Sequence, residues 1–331
     1  MEKNKTFEDI IEEFFKERSL YIKNMEKEKM SYKIILKLQK EIDNNKPILS
    51  KKLVNTCLIK TLWESETNRA HRITKLRVLS IFMIRMGYKS VVIPKGIASQ
   101  PDYSYTPYIF SNIELKNFIK ATEYYCTNTI NCIHKGKAFI IVFDLLIGSG
   151  LRITETLNLK KNDIDFKKCT IFLTKTKNSK ERKIPIASST MNKIEKYMKE
   201  LDADSFYQKF PYLFVNWKGN VFNSDDAYKL FRKILWKANI PHQGRGKGPR
   251  IHDLRHSYGV HILAKWVHEG HNLTTALPYL STYMGHGSLK ASEHYLRIAN
   301  SMYPELTQAF DDCYGWIIDN TNRGICKNEK N

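Results

Sequence analysis

The sequence predicts a mainly α-helical protein with one small antiparallel sheet, divided into two domains. Three observations carry that expectation. Apolar residues recur at helical spacing along most of the chain. One pair of short runs, KKCTIFLTKT and RKIPIA, reads as a β-hairpin around the polar tip Asn178-Ser179-Lys180-Glu181. The stretch IPKGIASQPDYSYTPY holds Pro, Gly and Ser without periodicity and separates residues 1–95 from the remainder as a linker, 96–108. A chain of 331 residues fits two domains at roughly 100–200 residues each. Its hydrophobic fraction of 42% supplies real cores and excludes a wholly disordered chain.

The elements follow in order. FEDIIEEFFKERSLYI places Phe7, Ile10, Ile11, Phe14 and Phe15 on one helical face. A second helix near Met30–Ile42 ends before Pro47, and a third covers VNTCLIKTLWESE. The fourth, ETNRAHRITKLRVLSIFMIRMGY, has Ile73, Leu76, Leu79, Ile81, Phe82 and Ile84 along an apolar side. Arg69, Arg72, Lys75 and Arg77 at its start give it a basic side, suited either to solvent or to phosphates. After the linker, SNIELKNFIKATEYY opens a helix with Ser111 or Asn112 as cap and Glu114 in the first turn. AFIIVFDLLIGSG is a continuous apolar helix stopped by Gly148 and Gly150, and LRITETLNLKKND restarts a helix. Beyond the hairpin the chain is mostly helical from Ser188, interrupted by the basic glycine-rich loop HQGRGKGPR at 242–250.

Lys and Arg number 54 against 34 Asp and Glu, a formal charge of +20. Residues 1–100 carry +9 of it and residues 101–331 the other +11, so no single basic tail is responsible. Two basic lobes suit a polyanion such as duplex nucleic acid, whose counterions they release; a lysine-rich codon usage is the plainer source. No apolar run approaches the ~18 residues of a membrane helix. The charged opening MEKNKTFEDI has no apolar signal core. Six scattered cysteines without a Cys-x-x-Cys pair point to a reducing cytoplasm rather than to a disulfide framework.

Four stretches of the second domain concentrate residues suited to chemistry. In Gly148-Ser-Gly-Leu-Arg152-Ile-Thr-Glu155 an arginine follows a glycine break, where a helix begins with unpaired N–H groups that suit a phosphate oxygen. The plainer reading is a turn with a surface arginine. The hairpin holds Lys175, Lys177, Lys180, Arg182 and Lys183, which can reach into a groove or donate a proton, or merely decorate a polar tip. In His252-Asp-Leu-Arg255-His256, His252 and Arg255 share a helical face and suit a phosphoryl group gaining charge; a capping histidine beside Asp253 is the alternative. The last is Leu280-Ser-Thr-Tyr-Met-Gly285-His286-Gly287, with Tyr295 nine residues after His286. A tyrosine becomes a nucleophile when cations stabilise its phenolate. Rival chemistries fit less well. GRGKGPR lacks the order of a P-loop, His268-Glu-Gly-His271 has the wrong spacing for two ligands on one helical face, and Asp163 with Asp165 stands without a second acidic cluster.

Taken together, and in this order, the four stretches resemble the tyrosine recombinase, or phage integrase, family in its two-domain form. GLRITETLNLKKNDID is similar to its first arginine box, TKTKNSKERKIPI to its lysine hairpin and IHDLRHSYGVHIL to its His-x-x-Arg box. YMGHGSLKASEHYLRIA is similar to its Gly-His and nucleophile boxes. The resemblance spans about residues 105–300 and implies a four-helix DNA-clamping domain at 1–95, a catalytic domain at 109–300 and a tail at 301–331 that docks on a neighbouring protomer. It implies Tyr295 as nucleophile, Arg152 and Arg255 on the non-bridging oxygens, and His252 and His286 in hydrogen-bonding and acid–base roles. A hairpin lysine, Lys175 or Lys177, is the general acid, and Glu155 orients the groups around it. Arg69, Arg72 and Lys75, with Arg245 and Lys247 of the basic loop, are the expected DNA contacts. The partners so implied are double-stranded DNA and a homotetramer in the synaptic complex, with accessory recombination proteins, no membrane and no cofactor or metal. Type IB topoisomerase-like relaxation and a decayed DNA-binding protein are the alternatives.

Overall fold

The computed structural model describes residues 5–22, 24–62, 64–97, 106–130, 132–174, 181–242 and 248–285. It separates into two compact units, Met1–Thr106 and Pro107–Asn331.

In the first unit the helices are α1 (Phe7–Ser19), α2 (Met25–Asp43), α3 (Lys51–Leu58) and α4 (Glu66–Arg85), with a two-residue parallel pair β1 (Ile48–Leu49) and β2 (Lys89–Ser90). Each helix starts on a residue whose side chain accepts an otherwise orphaned N–H: Thr6, Asn24, Ser50 and Ser65. Phe14 meets Tyr32 and Phe82 edge-on, and Phe15 also packs on Tyr32, which closes the core between α1, α2 and α4. Two expectations need correction. First, α3 stops at Leu58 rather than running through LWESE, because its terminal carbonyls are taken by arginines of α4. Arg69 Nε donates to Leu58 O (2.9 Å), and Arg72 donates to Cys57 O and Ile59 O. Second, Ile81 and Ile84 are exposed, since the buried stripe of α4 runs through Ile73, Leu76, Leu79 and Met83.

The second unit contains α5 (Asn112–Asn128), α6 (Ile133–Ser149) and α7 (Ile153–Leu157), then a 3-10 turn at Lys161–Asp163. A sheet follows, of β3 (Ile164–Asp165), β4 (Thr170–Leu173) and β5 (Arg182–Pro185). Its order is β3-β4-β5, antiparallel throughout, and Leu173 pairs with Arg182 at the end of the hairpin next to its connecting loop. The remaining helices are α8 (Ser188–Ala203), α9 (Ser205–Gln208), α10 (Ser224–Lys237), α11 (Ile251–His268) and α12 (Leu273–Met284). Ser111 caps α5 in a reciprocal box with Glu114. α6 is apolar nearly all round and packs on α5, α8 and α11, which makes it the central element. Gly148 lies inside α6, and the stop is Gly150 alone, in the left-handed region at φ +59°. Where LRITETLNLKKND reads as one helix, α7 has only five residues before the 3-10 turn and β3. No helix among the described residues is long and apolar enough to cross a membrane.

Candidate active site

The left-handed turn at Gly150 aims the next residues away from the axis of α6. A Cβ there would sit 2.5 Å from Tyr258 Cδ1, so only glycine allows α6 to end against α11. Arg152 then takes an extended conformation as the residue before α7. Its amide donates to Glu155 Oε2 (3.0 Å), its Nη1 to Glu155 Oε1 (2.8 Å) and its Nη2 to the carbonyl of Gly285 (2.9 Å). The Arg152 amide at this helix start is therefore occupied by a carboxylate. What stays partly open to solvent is the Arg152 side chain itself.

Glu155 is buried and shared. Besides Arg152 it accepts from Arg182 Nη2 (2.8 Å) and Nη1 (3.3 Å), so one carboxylate bridges α7 and β5. Burial alone would raise its pKa. The hydrogen bond from Arg182, the Arg152 amide and the two positive charges outweigh that and hold the carboxyl below its usual range. In the sequence Arg182 reads only as one more cation near a polar tip. Strand alternation carries the missed signal: Arg182 and Ile184 point inward from β5 while Lys183 and Pro185 point out.

From α11 come His252 and Arg255, one turn apart. Asp253 and the Arg250 backbone form the box that starts the helix, and the Ser257 hydroxyl accepts from the amide of Phe110 (2.9 Å). Arg255 is 2% exposed and donates to Gly150 O (2.6 Å) and to Met284 O. His252 is exposed at the start of α11, and its ring meets His256 edge-on. Desolvation first, then the cations Arg255, Arg152 and Arg250, lower its pKa to about 4, against a small opposing pull from Glu155. The imidazole is neutral at pH 7.

Arg152 and Arg255 thus arrive from different elements and hold adjacent carbonyls, Gly285 and Met284, of the turn that leaves α12. Tyr283, stacked on Tyr258, fixes the same turn by donating to Ser149 O (3.2 Å). Among the described residues, Arg152 and Arg182 share the Glu155 carboxylate and Arg255 stands close by with a neutral histidine, an excess of positive charge suited to an anion. Lys175, Lys177, His286, Tyr295, Arg245 and Lys247 lie outside the described residues. In the first unit the expected DNA contacts look inward. Arg72 is 7% exposed and ion-paired with Glu64 (Nε–Oε1 3.0 Å), and Lys75 binds Glu28 (2.6 Å). Arg69 caps α3 and pairs with Glu66 (3.2 Å). These side chains hold helices together, and Arg72 is the most buried of the three.

Residues 111–302 match the model of the phage integrase family. The chain is 28% identical over 242 residues to the putative integrase/recombinase y4rB of Sinorhizobium fredii, covering 71% of this chain and 77% of that one. It is 31% identical over 156 residues to the tyrosine recombinase XerA of Pyrococcus furiosus, which takes in 46% of this chain and 48% of the relative. Among solved structures, the Tn1549 transposon integrase in complex with transposon right end DNA superposes with a TM-score of 0.59 at 16% identity, covering 88% of this chain and 94% of that one; the likeness is one of fold. With the family model covering more than half of its residues, this chain belongs to the phage integrase family, the tyrosine-type site-specific DNA recombinases.

Proposed function

We propose that this protein cuts and rejoins duplex DNA at specific sites through a 3′-phosphotyrosyl intermediate, as the integrase of a mobile genetic element. The observation that carries the reading is the convergence of Arg152 and Arg255 on the Met284-Gly285 turn, immediately before His286. In this reading the scissile phosphate takes the place of the Gly285 and Met284 carbonyls on Arg152 and Arg255, whose planar forks match two phosphate oxygens. Tyr295 Oη attacks phosphorus and gives its proton to His252 or His286, the new P–O bond forms, and the P–O5′ bond breaks. The leaving 5′-oxygen takes a proton from Lys175 or Lys177. Neutral His252 donates a hydrogen bond to a non-bridging oxygen, and His286 serves as its counterpart across the phosphate. The diester's energy is kept in the tyrosyl ester, so a 5′-hydroxyl from a partner strand reverses the same steps. A homotetramer on two paired sites, joined through the tail at 301–331, provides that exchange.

The test uses the full chain with nicked suicide duplexes whose core is randomised, read by denaturing electrophoresis. A covalent adduct is expected from wild type and none from Tyr295→Phe. Adduct surviving that change would overturn Tyr295 as nucleophile. Relaxation of supercoils without two-site excision would assign the chemistry to topoisomerase-like turnover instead.

A further inference from the structure

We infer that Arg182 is a positioning residue for Arg152: through Glu155 it fixes the guanidinium that the proposed reaction aims at phosphate. The inference rests on that functional reading for its consequence, but its structural half stands alone. Arg182 is 9% exposed, on a strand whose other inward residue is Ile184. Taking a guanidinium out of water is expensive, and an apolar residue of similar volume often serves stability as well or better. What the buried charge does supply is geometry.

Both terminal nitrogens of Arg182 grip the two oxygens of Glu155, at 2.8 and 3.3 Å. A carboxylate held by two bonds from one fork cannot rotate freely about its last torsion. The same oxygens receive the amide and Nη1 of Arg152 at 3.0 and 2.8 Å, so the plane set by Arg182 is handed on to Arg152. Without Arg182, Glu155 keeps a single cation and is free to follow it.

A second contact points the same way. Gly285 has φ +64°, and a Cβ there would lie 2.7 Å from Arg182 Nη1, so the guanidinium packs against the backbone whose carbonyl accepts from Arg152 Nη2. Arg182 therefore touches both residues that fix Arg152. Its Nε–H is buried with no acceptor among the described residues. An orphaned donor costs stability, so the side chain is not placed for its own hydrogen-bonding satisfaction.

Arg182→Met and Arg182→Lys in the full chain test this in two ways. The first needs no activity: amide hydrogen exchange at Arg152, whose N–H donates to Glu155, is expected to speed up by about tenfold in Arg182→Met while the amides of α6 keep their protection. Arg182→Lys, which keeps the charge and one bond, is expected in between. Unchanged protection at Arg152 overturns the inference whatever the activity shows, as does equal loosening of α6 and Arg152 in both variants.

The second readout is single-turnover adduct formation on duplexes recovered with wild type, made with either a phosphodiester or a methylphosphonate at the scissile position. The methylphosphonate lacks one anionic oxygen and so asks less of Arg152. The preference of wild type for the diester is expected to narrow by about tenfold in Arg182→Met, as in Arg152→Ala, with partial recovery in Arg182→Lys. An equal loss on both substrates would mark Arg182 as structural only and refute the inference. Absence of adduct from wild type itself would instead refute the proposed function, leaving the exchange measurement to decide on Arg182.

Discussion

His252 owes its protonation state to its neighbours. Desolvation and three nearby arginines favour the uncharged ring, and Glu155 pulls weakly the other way. Because its pKa in the fold is about 4 rather than the ordinary 6.5, the unfolded chain binds the proton more readily between those values. The stability that depends on neutral His252 is therefore intact above the unfolded value and is lost as the pH falls toward 4. Glu155 acts in the same sense, since its lowered pKa means that acid must protonate a carboxylate the fold needs charged. In an NMR titration the His252 ring protons are expected to shift with a midpoint well below that of a free histidine. A bound phosphate would partly offset the arginines, so adding duplex DNA is expected to raise that midpoint. A ring titrating near 6.5 without DNA would show that neither desolvation nor the guanidiniums act on it.

At the scale of elements, the clearest case is the end of α3 against the start of α4. Arg72 joins Glu64 to the carbonyls of Cys57 and Ile59, so Arg72→Ala removes one partner of a buried ion pair and leaves helix-end acceptors unmet. A loss of about 3–5 kcal/mol in urea unfolding is expected. A residue serving only as a phosphate contact would cost no more than about 0.5 kcal/mol. This pair also shows which features were legible in the sequence. The apolar positions of α4 at Ile73, Leu76 and Leu79 could be read because periodicity reports directly on a buried face. Arg72 could not, because a cation on a helix reads as solvent-facing unless it is known that a neighbouring helix ends beside it. The Gly150 stop was legible as a glycine break, but Gly148 beside it was not separable, since only backbone φ tells a left-handed residue from a helical one. At the site, Arg152, Glu155, His252 and Arg255 were legible from spacing and family resemblance. Arg182 was missed because lysines crowd the same hairpin, although strand parity set it apart.

For the whole molecule the question is what a net charge of +20 does. Arg72 is offset by Glu64, whereas Arg152 and Arg182 share the Glu155 carboxylate with Arg255 close by, which leaves the site itself positive. Most of the excess sits on other residues, both before and after position 100, and affinity for DNA is expected to come mainly from those many cations. Binding that neutralises 6–10 phosphates weakens about 10³–10⁵-fold between 50 and 200 mM salt. A fluorescence-anisotropy salt series on duplex DNA is expected to fall in that range, and a flat series would refute a phosphate-dominated interface. Arg255 separates affinity from chemistry in the same experiment. It is one buried guanidinium among many basic groups, so Arg255→Ala is expected to change the salt slope by no more than about one phosphate contact. Adduct formation on the suicide duplex is expected to be lost in the same variant, since removing a preorganised donor to developing charge costs about 10²–10³ in rate. If affinity and cleavage instead collapse together, Arg255 serves to seat the DNA, and the stabilisation of charge at phosphorus must rest on Arg152.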